Sequence, residues 1–356
     1  MKKSLIALAA LAATSAFAQS SVTLYGIADV GVTHGSGSLT SINKMSSGNI
    51  SSSRLGVKGS EDMGAGLKAN FVFEGDVNPT NGVGSAQVGS NVLGASGSAT
   101  GGFSFNRQSY VGMSGNFGEV RLGRDYTPTF YIDASYDPFG VNGVGTNALF
   151  SQANANTISH LRASNAVSYT LPGNLGGFSG QVAYATNNAA SGAAVGNDGK
   201  YSGFNLGYAQ GAFSAHVGSA TFKQAAVGDV KTNSIAGSYD LGVVKLMAEA
   251  SSDKFGAAGL NRKDSGTLFG LTAPLGNGSV RASYVSRKTT KDGVTADNKF
   301  DQASIGYIYS LSKRTTLYGT YSNVSNKGLS AVAVGGSTTA AGTSSSGYDI
   351  GLRHTF

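Results

Sequence analysis

The sequence predicts an all-β chain: a sixteen-stranded antiparallel transmembrane β-barrel. Three observations carry this prediction. From Val22 to Phe356 apolar and polar residues alternate in pieces of about ten. The connections between pieces are alternately short and long. Within each piece the charges keep to one face.

Along the chain, the first element is a leader. "MKK" is followed by the apolar run "SLIALAALAATSAF" and by "AFA", a small-x-small site that predicts cleavage after Ala18. The run is short of the ~20 residues of a spanning helix. Residues 1–18 are therefore read as a signal peptide and 19–356 as one barrel domain.

In "SSRLGVKG", Arg54, Gly56 and Lys58 point one way and Leu55 and Val57 the other. In "GLKANFVFEG", Leu67, Ala69, Phe71 and Phe73 oppose Lys68, Asn70 and Glu74. "SNAVSYTL", "SVRASYVSR", "FDQASIGYIYS" and the terminal "GYDIGLRHTF" repeat the pattern. Turns fall near 60–66, 115–118, 171–177, 209–212, 239–242, 273–278 and 310–314. Long connections are expected near 34–49, 76–102, 126–161, 186–199, 223–230, 253–263, 288–298 and 324–346. Counting between these marks gives sixteen strands, and all five prolines fall in connections.

The segments match the ~9–11 residues that cross a bilayer when tilted, longer than the usual sandwich strand. Tyr307, Tyr309, Tyr318 and Tyr321 stand at segment ends, where an interfacial belt belongs. Arg or Lys facing mid-bilayer lipid costs roughly 2–4 kcal/mol. Arg54, Lys58, Lys68, Lys245, Arg281, Arg287 and Arg353 are therefore expected to point inward, into a water-filled interior.

Composition narrows the function. The chain has 53 Gly and no Cys, and its net charge of +7 falls to +5 once Lys2 and Lys3 are removed. No Lys/Arg run suggests a nucleic-acid arm. His34, His160, His216 and His354 form no HExxH-like pair, and there is no GxSxG elbow or phosphate loop. No cofactor, metal or catalytic residue is expected.

"SVTLYGIADVGV", "SSRLGVKGSEDMGAGLKANFVFE", "FNRQSYVGMSGNFGEVRLGRDYTP", "SNAVSYTLP" and the ending "GLRHTF" resemble the general diffusion porins of beta-proteobacteria, of the neisserial and Burkholderia/Comamonas type. The resemblance implies a homotrimer in the Gram-negative outer membrane. It also implies passive, mildly anion-preferring diffusion of small ions and solutes, and contact with outer-membrane lipid, lipopolysaccharide and the barrel-assembly machinery. The third long connection, from Tyr126 to about Leu161, would fold inward. Its Asp133 and Asp137 would face Arg54, Arg107 and Arg162, with Lys58 nearby, across a pore constriction. Arg107 shares parity with Val111 and Met113, so its inward aim rests on the resemblance alone. Lys68, Lys245, Arg281 and Arg287 are read instead as solvated strand charges. Phe356, with His354 two places earlier, matches the terminal signal for barrel assembly. A second reading is an adhesin or surface receptor acting through 76–102 and 324–346.

Overall fold

A computed structural model describes residues 21–84, 91, 102–147, 161–188, 196–224, 228–256 and 261–356; the expected leader lies outside these. In chain order the strands are β1 (Ser21–Gly37), β2 (Ser41–Ser47), β3 (Arg54–Gly64), β4 (Leu67–Asn78), β5 (Val83–Gly84), β6 (Gln108–Gly115), β7 (Gly118–Tyr126), β8 (Arg162–Thr170) and β9 (Phe178–Ala185). They continue as β10 (Tyr201–Gln210), β11 (Phe213–Phe222), β12 (Asp229–Asp240), β13 (Lys245–Gly256), β14 (Arg262–Leu275), β15 (Gly278–Lys291), β16 (Asn298–Ser310), β17 (Thr315–Gly328) and β18 (Ser345–Thr355). Among the described residues one helix, α1 (Pro128–Tyr136), follows β7.

All pairings are antiparallel, and β18 returns to β1 from Ile27↔Thr355 to Gly37↔Ser345, which closes the sheet. β2 and β3 pair with successive halves of β1, so together they make one crossing, interrupted at 48–53. Among the described residues β5 pairs only with the end of β4. Sixteen crossings therefore form the wall. Closure satisfies every ladder position without leaving an edge, the condition for strands in hydrocarbon.

Closure depends on a close approach at the seam. Gly26 and Phe356 exchange both backbone hydrogen bonds at 3.1 Å. A Cβ on Gly26 would lie 2.3 Å from the Phe356 ring and 2.9 Å from the Arg54 carbonyl, so a larger residue here would force the ring and the strand to shift.

The wall is inverted relative to a soluble core. Leu24, Val111, Leu122, Phe204, Ile235, Phe269, Ile305 and Ile350 are exposed, each at an outward position of its strand. The alternate positions carry buried Ser168, Asn205, Thr232, Glu249, Arg281, Gln302 and Asp349. This is the alternation read from the sequence, with grease outside and polar groups inside.

Several connections are shorter than expected. β1 and β2 run through most of 34–49, leaving only 38–40 between them, and β15, β17 and β18 likewise extend into expected loops. Hydrophobic alternation ends at the edge of the lipid, but the ladder continues above it with polar residues on both faces. Pro274 also sits inside β14, one residue from its end, and not in the turn. Tyr318 departs from the belt reading: Leu317 and Tyr321 face out, so Tyr318 points inward and donates to Asp29 Oδ1 at 2.5 Å.

Candidate functional site: an arginine cluster and the segment after β7

β3, β4, β6, β7 and β8 bring four arginines together. Arg107 lies one residue before β6, where strand parity no longer governs it. Its Nε donates to Glu74 Oε1 at 2.6 Å, its Nη1 to Asp76 Oδ1 at 2.8 Å and its Nη2 to the Tyr126 hydroxyl at 2.5 Å. Arg54 stands 3.6 Å from the same Glu74 oxygen and donates from Nε to the Ser52 carbonyl. Arg162 donates to the Tyr126 hydroxyl at 3.1 Å and lies over that ring, 4.6 Å from its centroid.

A register shift between Gly123 and Asp125 re-aims β7. Beside it, Arg124 donates to the Asn106 carbonyl and to Ser164 Oγ. Four guanidinium groups against the carboxylates of Glu74 and Asp76 leave this part of the wall at +2. Lys58 is close by: its Nζ lies 5.2 Å from the Tyr25 ring centroid, and the Tyr25 hydroxyl donates to Glu74 Oε2. The sequence had paired Arg54, Arg107 and Arg162; it missed Arg124 and the organising roles of Glu74, Asp76 and Tyr126. Glu74 was visible as a polar-face residue, but no spacing signal ties Tyr126 to two arginines.

Tyr126 also begins the segment that leaves the wall. Its ring stacks on Phe130, 5.0 Å between centroids, and Thr127 caps α1 by accepting from Phe130 N. Pro128 at the first turn suits the helix start. The segment then touches inward positions of many strands. Asn205 donates to the Pro128 carbonyl, and Tyr136 Oη lies 2.8 Å from His216 Nδ1. Val144 N donates to Asp349 Oδ2 at 2.9 Å, and Asn147 to Glu249 Oε2 at 3.2 Å.

The two expected acids are both buried, each engaged by its own segment or by the wall. Asp137 turns back into its own segment, where its carboxylate accepts from the backbone N–H groups of Phe139, Val141 and Asn147. Burial pushes its pKa up to about 6, against the lowering effect of those donors. Asp133 is buried against Glu249 of β13. Burial and that neighbouring acid raise it well above the usual carboxylate range.

Arg281 and Arg287, expected as solvated charges, are both buried. Arg281 lies over the Phe139 ring at 4.6 Å and donates to the Pro138 carbonyl. Arg287 pairs with Asp264 at 2.6 Å. Lys68 is exposed and Lys245 half-buried. Parity gave their direction, but not what the segment after β7 would cover. His354 contacts Thr315 on the neighbouring strand, as an ordinary member of β18.

A family profile described as Gram-negative porin matches residues 4–329. Outer membrane porin protein 32 of Delftia acidovorans is 38% identical, with 100% of each chain covered. Major outer membrane protein P.IB of Neisseria gonorrhoeae is 33% identical over 89% of this chain and 91% of its own. Among solved structures, an anion-selective porin from Comamonas acidovorans superposes with a TM-score of 0.82 at 34% identity, covering 95% of this chain and 100% of its own. A closed sixteen-crossing wall, polar within and apolar without, together with these matches over nearly the whole chain, establishes that the chain belongs to the Gram-negative porin family.

Proposed function

We propose that the chain forms a water-filled outer-membrane channel for passive diffusion of small hydrophilic solutes and ions, with a mild preference for anions. The observation that carries the reading is the wall cluster of Arg54, Arg107, Arg124 and Arg162, held at +2 on the inward face. A lumen lined by excess positive charge concentrates anions and repels cations. The anion-selective relative of known structure supports the same sign.

In this reading the segment from Tyr126 to about Leu161, of which 148–160 lie outside the described residues, is the inward-folded third loop. Its contacts with Asn205, Glu249, Arg281 and Asp349 support that placement. Arg54, Arg107, Arg162 and Lys58 form the cationic side of the constriction. Asp133 and Asp137 anchor the loop, and Asp133, whose pKa is raised by burial and the neighbouring Glu249, contributes little negative charge to the opening. The chain acts as a channel and not an enzyme, and as a homotrimer in contact with outer-membrane lipid. Residues 1–18 are its export leader, and Phe356 at the closing seam is its signal to the barrel-assembly machinery.

Planar-bilayer recording in a salt gradient tests the reading. Stepwise conductance with a reversal potential on the anion side is expected; silence, or marked cation preference, removes it. Acidification adds a second expectation. Asp137, with a pKa of about 6, goes from mostly charged at pH 7 to mostly neutral at pH 5. The lumen then gains positive charge, so anion preference should rise as pH falls through that range. Asp137→Asn should flatten this step, and an unchanged pH profile in the variant assigns the titration elsewhere.

A further inference from the structure

The inward face is polar over most of its height, but at the end bearing the long connections its character changes. Phe255 of β13 shares parity with the inward Glu249, and Phe300 of β16 with the inward Gln302; both rings are buried. Phe300 packs with Leu268, Val285 and Val324 of the neighbouring strands and with Val334, from the connection between β17 and β18. That connection turns back over the wall. Asn326 fixes it there, donating to the Val332 and Thr343 carbonyls and accepting from Val332 N at 2.9 Å. Apolar side chains inside the barrel are thus explained where the connection covers them.

Between the two phenylalanines the wall is charged. Asp264 of β14 accepts from Arg262 Nε at 3.0 Å and from Thr289 Oγ1 at 2.6 Å. Its other oxygen lies 2.6 Å from one Nη2 of Arg262 and from that of Arg287. The Asp264 side chain is only 1% exposed, so it holds the two guanidinium groups in place without showing its own charge. Arg262 also lies over the Phe255 ring, 5.1 Å from its centroid. Directly opposite Arg262 on β15 stands Lys291, which is exposed. Among the described residues Lys291 has no carboxylate in ion-pair range. Three cations against one carboxylate leave a local charge of +2.

These groups share a recess of ≈ 560 Å³, within the range of small-molecule sites. Arg262, Arg287 and Lys291 form one flank, and among the described residues no carboxylate lines it. Val294, Leu329 and Val332 belong to the other flank; the first two are exposed and the third half-buried. Apolar surface left open to water gains from being covered. A small hydrophilic anion engages only the cationic flank, and a neutral apolar molecule only the other. An anion with its charge at one end of a flat apolar body engages both.

We propose that this recess is an entry site for aromatic carboxylates. The carboxylate sits between Arg262 and Lys291, whose mutual repulsion it relieves, with Arg287 adding charge from behind. The ring lies against Val294, Leu329 and Val332. The inference rests on the channel reading, which places the recess at the mouth on the path of solutes, and it names a solute class that the channel favours.

Full-length protein in planar bilayers carries a chloride current, and benzoate, acetate or benzyl alcohol is added in increasing concentration. Covering roughly 55 Å² of ring corresponds to about a tenfold gain in affinity. Benzoate should therefore reduce the current at about one tenth of the concentration that acetate requires, and benzyl alcohol should have far less effect. Val294→Ser with Leu329→Ser, both in connections and exposed, should bring benzoate to within about twofold of acetate. Arg262→Gln with Lys291→Gln should raise the benzoate concentration needed on the order of tenfold. Equal potency of benzoate and acetate in the wild type overturns the proposal, as does benzyl alcohol that matches benzoate. So does a benzoate advantage that survives undiminished in either double variant. A wild type without current defeats the channel reading, whereas a conducting wild type that treats benzoate as acetate defeats only this site.

Discussion

Arg54→Glu combined with Arg162→Glu is expected to reverse the ion preference of the channel. The substitution changes local charge by four units, taking the cluster from four guanidinium groups and two carboxylates to two and four, a net −2. At roughly 7 Å from a permeating ion in water-like dielectric, four charges amount to ~2.4 kcal/mol before screening. A screening length of about 8–10 Å reduces this to about 1 kcal/mol. Because the effect has opposite sign for the two ions, the anion-to-cation permeability ratio should fall on the order of 20-fold. The measurement is the reversal potential in a salt gradient, with single-channel conductance as a check that the pore is intact. A ratio unchanged within twofold would place neither residue near the path of the ions. Arg281→Gln, under the Phe139 ring, is the informative comparison, since its charge is already faced by the loop.

The second large effect concerns stability. Arg107→Ala is expected to cost about 3–5 kcal/mol, because it strands the buried Glu74 without its principal cation. The side chains of Arg107 and Glu74 are only 5% and 4% exposed, so water cannot replace the lost partner without rearrangement. Tyr126 would also lose the shorter of its two guanidinium donors. Denaturant unfolding in detergent gives the magnitude, and Glu74→Gln in the same chain should recover much of it. A loss below ~1 kcal/mol, or no recovery, would mean that the pair is solvated and independent.

These effects show which parts of the molecule a sequence exposes and which it conceals. Strand crossings were legible because a lipid face and a polar face leave a period of two in Leu67, Ala69, Phe71 and Phe73, or in Ile305, Tyr307 and Tyr309. The strand ends were not, because above the lipid nothing distinguishes His34 or Lys291 on a ladder from the same residue in a loop. The inward aim of Arg54 and Arg162 followed from parity. Arg107 escaped it by preceding its strand, and its geometry is set by Glu74, a residue on another strand. Asp133 and Asp137 were legible as acids of the third connection, but their aim was not, because it depends on backbone donors from Phe139 to Asn147 and on Glu249 of a distant strand. Burial of Arg281 was equally hidden, since it is imposed by a segment more than a hundred residues away in sequence.

The seam between Gly26 and Phe356 joins the first crossing to the last, so the ring cannot close until both are present. Until then both terminal strands offer unpaired amides and carbonyls to any neighbouring chain, and the contacts that remove the hazard are the least local in the molecule. Closure of the wall therefore rests on contacts that span almost the whole chain, and an open sheet exposes both of its edges until they form.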